Sequence, residues 1–229
     1  MENVRNKILA VAKELFMLQG YKQTGIRQIV DHSGVLTGSI YHFFRNKEEI
    51  LKTLLLDVFD MSQALVAERL GKDASPGLHL AVVGAMELVA AERNEHICEM
   101  YYASYSANTI LESIVCRGTT FTQELFGAAN PSFTDDDYYV RTLAVKGIIS
   151  SFISSRYLNR KVSLIDRVEV FVEMAMKAFN LEQDEIERIK TDTVQLLGVI
   201  DEMAGEVIRE QLNFKDSNNW PRSGGDGVG

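Results

Sequence analysis

The chain has 229 residues, 46% of them hydrophobic, with three prolines, two cysteines and a net charge of −8. That length allows one large domain, or a small one joined to a larger one, with apolar material for a real core. No run of about 18 uncharged apolar residues occurs, which excludes a membrane span; the start Met-Glu-Asn-Val-Arg-Asn-Lys is no apolar signal segment and Cys98 and Cys116 make no disulfide framework, so a cytoplasmic protein is expected.

The predicted elements are all helices. Ile8, Val11, Ala12, Leu15, Phe16 and Leu18 follow the 3.6-residue period over about Glu2 to Gln19, and Gly20 ends the run. Thr24 is expected to cap a second helix through about His32, with Ile26, Ile29 and Val30 inward. Ser33-Gly34 is a tight turn, where glycine supplies the left-handed conformation. A very short third helix starts at Leu36 or Thr37, with Thr37 the expected cap, and ends near Phe44. Asn46 and Glu49 form a capping box for a fourth helix with Leu51, Leu54, Leu55, Val58 and Leu65 inward.

Past Leu70 a linker leads to Ser75-Pro76, a cap and first-turn pair for a helix over about 76–92. An aromatic helical stretch follows at 100–105, then a helix over about 108–126. Asn130-Pro131 breaks the chain, and Thr134 caps a helix reaching about Asn159. Ser163 to Asp166 opens a helix to Asn180. A last long helix is expected over about 184–212. Its stripe Ile186, Ile189, Thr193, Leu196, Ile200, Met203 and Val207 reads as a seam for another helix. With the 134–159 helix it is expected to form a four-helix interface between two subunits. Residues 213–229 are polar and glycine-rich, a frayed tail by expectation. The fold class is therefore all-α, with a helix-turn-helix domain at 1–47, a larger helical domain at 48–212 and a tail at 213–229.

Residues 20–51 are the most informative stretch, because helix, glycine turn and two-turn helix are the build of a unit that enters the major groove of DNA. Small polar residues at the start of the third helix let the backbone approach the duplex. Tyr41 and His42 can touch phosphates or thymine methyls. Lys47 offers a charge at the start of the fourth helix, and Thr24 can face a phosphate at the start of the second. Charge is distributed to match. Residues 1–47 hold seven Lys/Arg and three acids, +4, which leaves −12 on the remainder. A basic head on an acidic body orients the head toward phosphate.

These residues carry a resemblance. Thr24 with Ile26-Arg27-x-Ile29, Ser33-Gly34-Val35, Gly38-Ser39-Ile40-Tyr41-x-Phe43-Phe44 and Lys47-Glu48-Glu49-Ile50-Leu51 resemble the DNA-binding domain of the TetR family of bacterial transcriptional regulators. The likeness covers about the first quarter of the chain. It implies a homodimeric repressor on double-stranded, pseudo-palindromic operator DNA, with recognition helices about 34 Å apart. It also implies a small-molecule effector in the larger domain whose binding moves the fourth helix. The DNA-contacting residues it implies are Thr24, Gly25, Arg27, Thr37, Gly38, Ser39, Tyr41, His42 and Lys47. The chain departs from the family pattern at Gly25, Leu36, Thr37 and Phe43, so the base-reading residues are its own.

Candidate effector contacts are Tyr101 and Tyr105, one turn apart, with Phe121, Phe152 and Met174 on other helices. Arg156 joins them because it follows the apolar-and-serine run 147–155, where a cation needs a partner. His96, Cys98, Cys116 and the acids at 135–137 form no metal-ligand spacing, so neither metal nor cofactor is expected. No nucleophile–base pair or phosphate loop appears, so the chain does not read as an enzyme. The alternative function is a DNA-tethered interaction protein whose large domain binds a protein partner.

Overall fold

The computed structural model describes residues 2–212 apart from Lys72; the expected tail at 213–229 lies outside the described residues. The described residues form eleven α-helices: α1 (Glu2–Gln19), α2 (Ile26–Ser33), α3 (Thr37–Phe43), α4 (Lys47–Leu70), α5 (Pro76–Arg93), α6 (Glu95–Ser106), α7 (Asn108–Phe126), α8 (Asp135–Ser154), α9 (Leu164–Ala178), α10 (Gln183–Gln195) and α11 (Leu197–Leu212). The all-α fold is as expected from the sequence. Helices α1 to α3 make a small head, and α4 runs from that head into the body.

Caps written in the sequence set many of the boundaries. The Asn46 side chain accepts from Glu49 N at 2.9 Å, and the Glu49 carboxylate accepts in return from Arg45 N. Ser75, Thr134 and Ser163 cap α5, α8 and α9 in the same way. The turn between α2 and α3 holds Gly34 at φ 60°, the left-handed conformation that glycine tolerates.

The body is built around α5. From Leu80 to Ala91 every residue of this helix is buried, and it packs against α4, α6, α8, α9, α10 and α11. A helix buried on every side has no solvent face to offer, and its one charge in that stretch, Glu87, is buried with the rest. Where α5 meets α9 the fit is close. A Cβ added at Gly84 would stand 2.1 Å from the Phe171 ring, so the glycine lets the ring seat.

Three expectations about elements are corrected. The helix after Thr134 ends at Ser154 and continues as a 3-10 turn over Ser155–Tyr157, short of Asn159. The last long helix is two, broken at Leu196. Its seam is not a subunit interface. Ile186, Ile189, Thr193, Ile200, Met203 and Val207 are buried within this one chain. There α10 packs on α9 and α5, and α11 on α5 and α4. The heptad-like spacing correctly marks a helix packed on helices, but its partners belong to the same chain.

Candidate DNA-binding face and interior polar site

The head presents α3 outward. Ile40 and Phe44 are buried and fix this two-turn helix to the rest of the head. The opposite side carries Thr37, Gly38 and His42, all exposed, Ser39 at the edge, and Tyr41 at 50% exposure. A Cβ at Gly38 would meet nothing within 4 Å, so the backbone there is open to a close approach. Thr37 is the first helical residue and not the cap. Leu36 holds the N-cap position with no side-chain hydrogen bond, and stands 80% exposed beside the polar row. A bare leucine at that edge can meet thymine methyls or sugar carbons. The sequence flagged Leu36 as a departure but not as a contact. Arg27 is exposed on α2.

Three of the expected DNA contacts have other work. Thr24 is buried; its hydroxyl donates to the Gly20 carbonyl at 2.8 Å and accepts from Gln19 Nε2. It closes the α1–α2 turn and does not face outward. Gly25 occupies the N-cap of α2, and its N–H is taken by Gln28 Oε1 at 2.7 Å. Lys47 is a tether. Its ammonium donates to the carbonyls of Tyr21 and Thr24 at 2.7 and 2.8 Å and lies 4.1 Å from the centroid of the Tyr21 ring. Burial lowers its pKa, against the raising effect of Glu99 and Glu48. One N–H remains for a phosphate. Burial first, and Glu48 next, push Tyr21 up to about 12.

The body grips this same turn through α6. Glu99 accepts from the backbone of Tyr21 at 3.1 Å and of Lys22 at 3.0 Å. The Lys22 ammonium lies over the Tyr102 ring, which packs edge-on against Tyr157. Gly20, at φ 88°, gives Glu99 room, since a Cβ there would stand 2.5 Å from Oε2.

The second site is interior. Glu87 on α5 and Lys146 on α8 form a buried ion pair in a shell of apolar side chains. The Tyr105 hydroxyl donates to the second Glu87 oxygen at 2.6 Å. The Lys146 ammonium lies 4.8 Å from the Phe59 ring centroid. Two cavities flank the pair. One is lined by Leu55, Val58, Glu87, Tyr101 and Ile114, the other by Gly118, Phe121, Thr122, Thr142 and Phe171. Phe59, Val83 and Lys146 belong to both. Each measures about 20 Å³, room for one water. Burial first, then the charge of Glu87, raises the pKa of Tyr101 and of Tyr105 far above the ordinary tyrosine value, so both keep their protons.

Of the candidate effector contacts, the structure brings Tyr101, Tyr105 and Phe121 to this site. It does not bring the other three. Phe152 packs at the rim of the core and touches neither cavity. Met174 is 47% exposed on the outer side of α9. Arg156 donates to the carbonyls of Ala91 and Glu92 at 3.0 Å and so caps the C-terminus of α5. Sequence reading missed Glu87 and Lys146. Each is a lone charge in an apolar run, Ala85-Met-Glu-Leu-Val89 and Leu143-Ala-Val-Lys-Gly147, and that isolation was the available signal.

The outward sides of α8 and α9 are apolar. Val140 is 59% exposed, with Leu143 and Gly147 in line below it, and Ile165, Val170 and Met174 are exposed on the neighbouring helix. Among the described residues no helix is long and apolar enough to cross a membrane, and no group of His, Cys, Asp or Glu could hold a metal ion.

A two-turn helix held outward by a glycine corner, on a head joined to a larger helical body, defines a helix-turn-helix DNA-binding protein. Residues 8–54 match the family model described as bacterial regulatory proteins, tetR family. Over those residues, the head and the start of α4, the chain is similar to that family of regulators. It is similar to the HTH-type transcriptional regulator YxaF of Bacillus subtilis, 41% identical over 73 residues, which are 31% of this chain and 38% of that one. It is also similar to the HTH-type transcriptional repressor KstR2 of Mycolicibacterium smegmatis, 34% identical over 88 residues, 36% of this chain and 43% of that one. These matches therefore span less than half the length of either relative. Among solved structures the chain resembles RolR in complex with resorcinol, with a TM-score of 0.64 over 82% of this chain and 93% of that one. At 18% identity that likeness is one of fold.

Proposed function

We propose that the protein is a homodimeric, DNA-binding transcriptional repressor in the cytoplasm, released from a pseudo-palindromic operator by a small molecule held in the body. The observation that carries this reading is the outward row of Thr37, Gly38, Ser39, Tyr41 and His42 on a helix too short to serve stability, in a head of charge +4. The effector site is the Glu87–Lys146 interior. Two arguments support it: a buried polar cluster beside cavities is where a helical body can recognise a ligand, and RolR, similar in fold, is known in complex with resorcinol. The second copy covers the apolar sides of α8 and α9. The last helix, expected there from its spacing, is replaced by α9.

The test is selection of a double-stranded operator from a random-sequence pool, followed by titration of the full chain. A palindromic site with two half-sites about one helical turn apart is expected, with affinity falling steeply as salt rises. Tyr41→Ala should weaken binding about tenfold with an unchanged melting temperature. Failure of any sequence to enrich at low salt overturns the reading. One observation favours the alternative of a body that binds a protein partner, namely the narrowness of the interior cavities. A protein that holds its operator firmly while no small molecule loosens it would select that alternative.

A further inference from the structure

The free hydrogen-bonding capacity of the interior site defines the chemistry of its occupant. Glu87 has both oxygens engaged, Oε1 by Lys146 and Oε2 by the Tyr105 hydroxyl. The Ser62 hydroxyl donates to the Val58 carbonyl, and the hydroxyls of Thr122 and Thr142 bond to each other at 2.9 Å. Two donors remain. The Lys146 ammonium donates to Glu87 alone, and the Tyr101 hydroxyl makes no hydrogen bond among the described residues. Both groups line the same cavity. The unused protons of the site are therefore those of Lys146 and Tyr101, and an occupant that brings lone pairs satisfies both, while the Tyr101 and Ser62 hydroxyl oxygens can still accept.

Charge narrows the class further. Glu87 and Lys146 already neutralise each other. A carboxylate or an ammonium brought between them would be a third buried charge with no counter-ion, which is costly. The rest of the wall is Leu55, Val58, Phe59, Val83 and Ile114, apolar, with Ser62, whose proton is held by the Val58 carbonyl.

We propose that the effector is a small, uncharged, mostly apolar molecule carrying a carbonyl or hydroxyl oxygen, which accepts hydrogen bonds from Lys146 Nζ and the Tyr101 hydroxyl. This rests on the effector reading given above. Room for it comes from joining the two cavities, which share Phe59, Val83 and Lys146. Displacing the Phe59 ring does so, and Phe59 rides on α4, the helix that leads to the head. On the surface just outside, Arg117 pairs with Asp60 and closes the seam between α7 and α4.

The experiment titrates the full-length protein with four one-ring probes of similar size: acetophenone and phenol, which are neutral, and benzoate and benzylammonium, which are charged. Binding is read by calorimetry, and DNA release is read separately by anisotropy on the selected operator. Acetophenone and phenol should bind with a Kd on the order of 1 mM or tighter, and the charged pair should not. Tyr101→Phe keeps the ring and removes one donor, so it should weaken acetophenone about fivefold. The double variant Glu87→Gln, Lys146→Met removes both charges together and should abolish the preference for neutral probes. Benzoate or benzylammonium binding as well as the neutral probes overturns the proposal. So does Tyr101→Phe binding unchanged, and so does binding by none of the four up to about 10 mM. DNA released by benzoate alone overturns this ligand class and leaves the effector reading standing. Neutral probes that bind through Tyr101 yet leave the DNA bound overturn the effector reading and keep the site chemistry.

Discussion

Single side chains in the head divide into those that face outward and those that hold the α1–α2 turn. Lys47 belongs to the second group, with two N–H groups on the carbonyls of Tyr21 and Thr24. Substituting Lys47→Ala removes the side-chain donor from both carbonyls, leaving that of Tyr21 only the Thr24 N–H at 3.3 Å, and should cost about 1–3 kcal/mol of stability in a urea melt. Operator affinity should fall with it, because the face it supports is loosened. Glu99→Ala frees the amides of Tyr21 and Lys22, and their hydrogen exchange should accelerate while that of the α5 core stays slow. The residue types in the motif were legible in the sequence; the roles of Thr24 and Lys47 were not. A hydroxyl at a helix start and a cation near a turn satisfy backbone groups or phosphates equally well, and only burial separates the two.

At the level of elements, short-range chemistry was readable. Asn46, Ser75, Thr134 and Ser163 announced four helix starts, because a side-chain cap acts within three residues of itself. Thr134→Ala should therefore cost about 1 kcal/mol. A thermal melt should register it as a drop of about 2–4 °C. Long-range pairing was not readable. The stripe on α10 and α11 shows that something packs there, but periodicity carries no address for the partner. The break at Leu196 has no glycine or proline to announce it, since the nearest glycine, Gly198, lies inside α11.

For the whole molecule, the outer faces of α8 and α9 predict a dimer. Val140→Glu with Met174→Glu places charges on that surface and should give a folded monomer by sedimentation, with operator binding weakened by loss of the paired half-site. A dimer that survives both substitutions would move the interface elsewhere. The head was legible from one continuous stretch of about thirty residues, whereas Glu87 and Lys146 stand 59 residues apart and only the tertiary fold pairs them. The grip of α6 on the head has its own consequence for divergence. Glu99 holds Tyr21 and Lys22 by their backbone N–H groups, and a backbone amide is the same whatever side chain it bears. Mutations that rewrite the outward row at 36–42 therefore leave that attachment chemically unaltered. The address that the protein reads can drift through evolution while the control of reading is inherited intact.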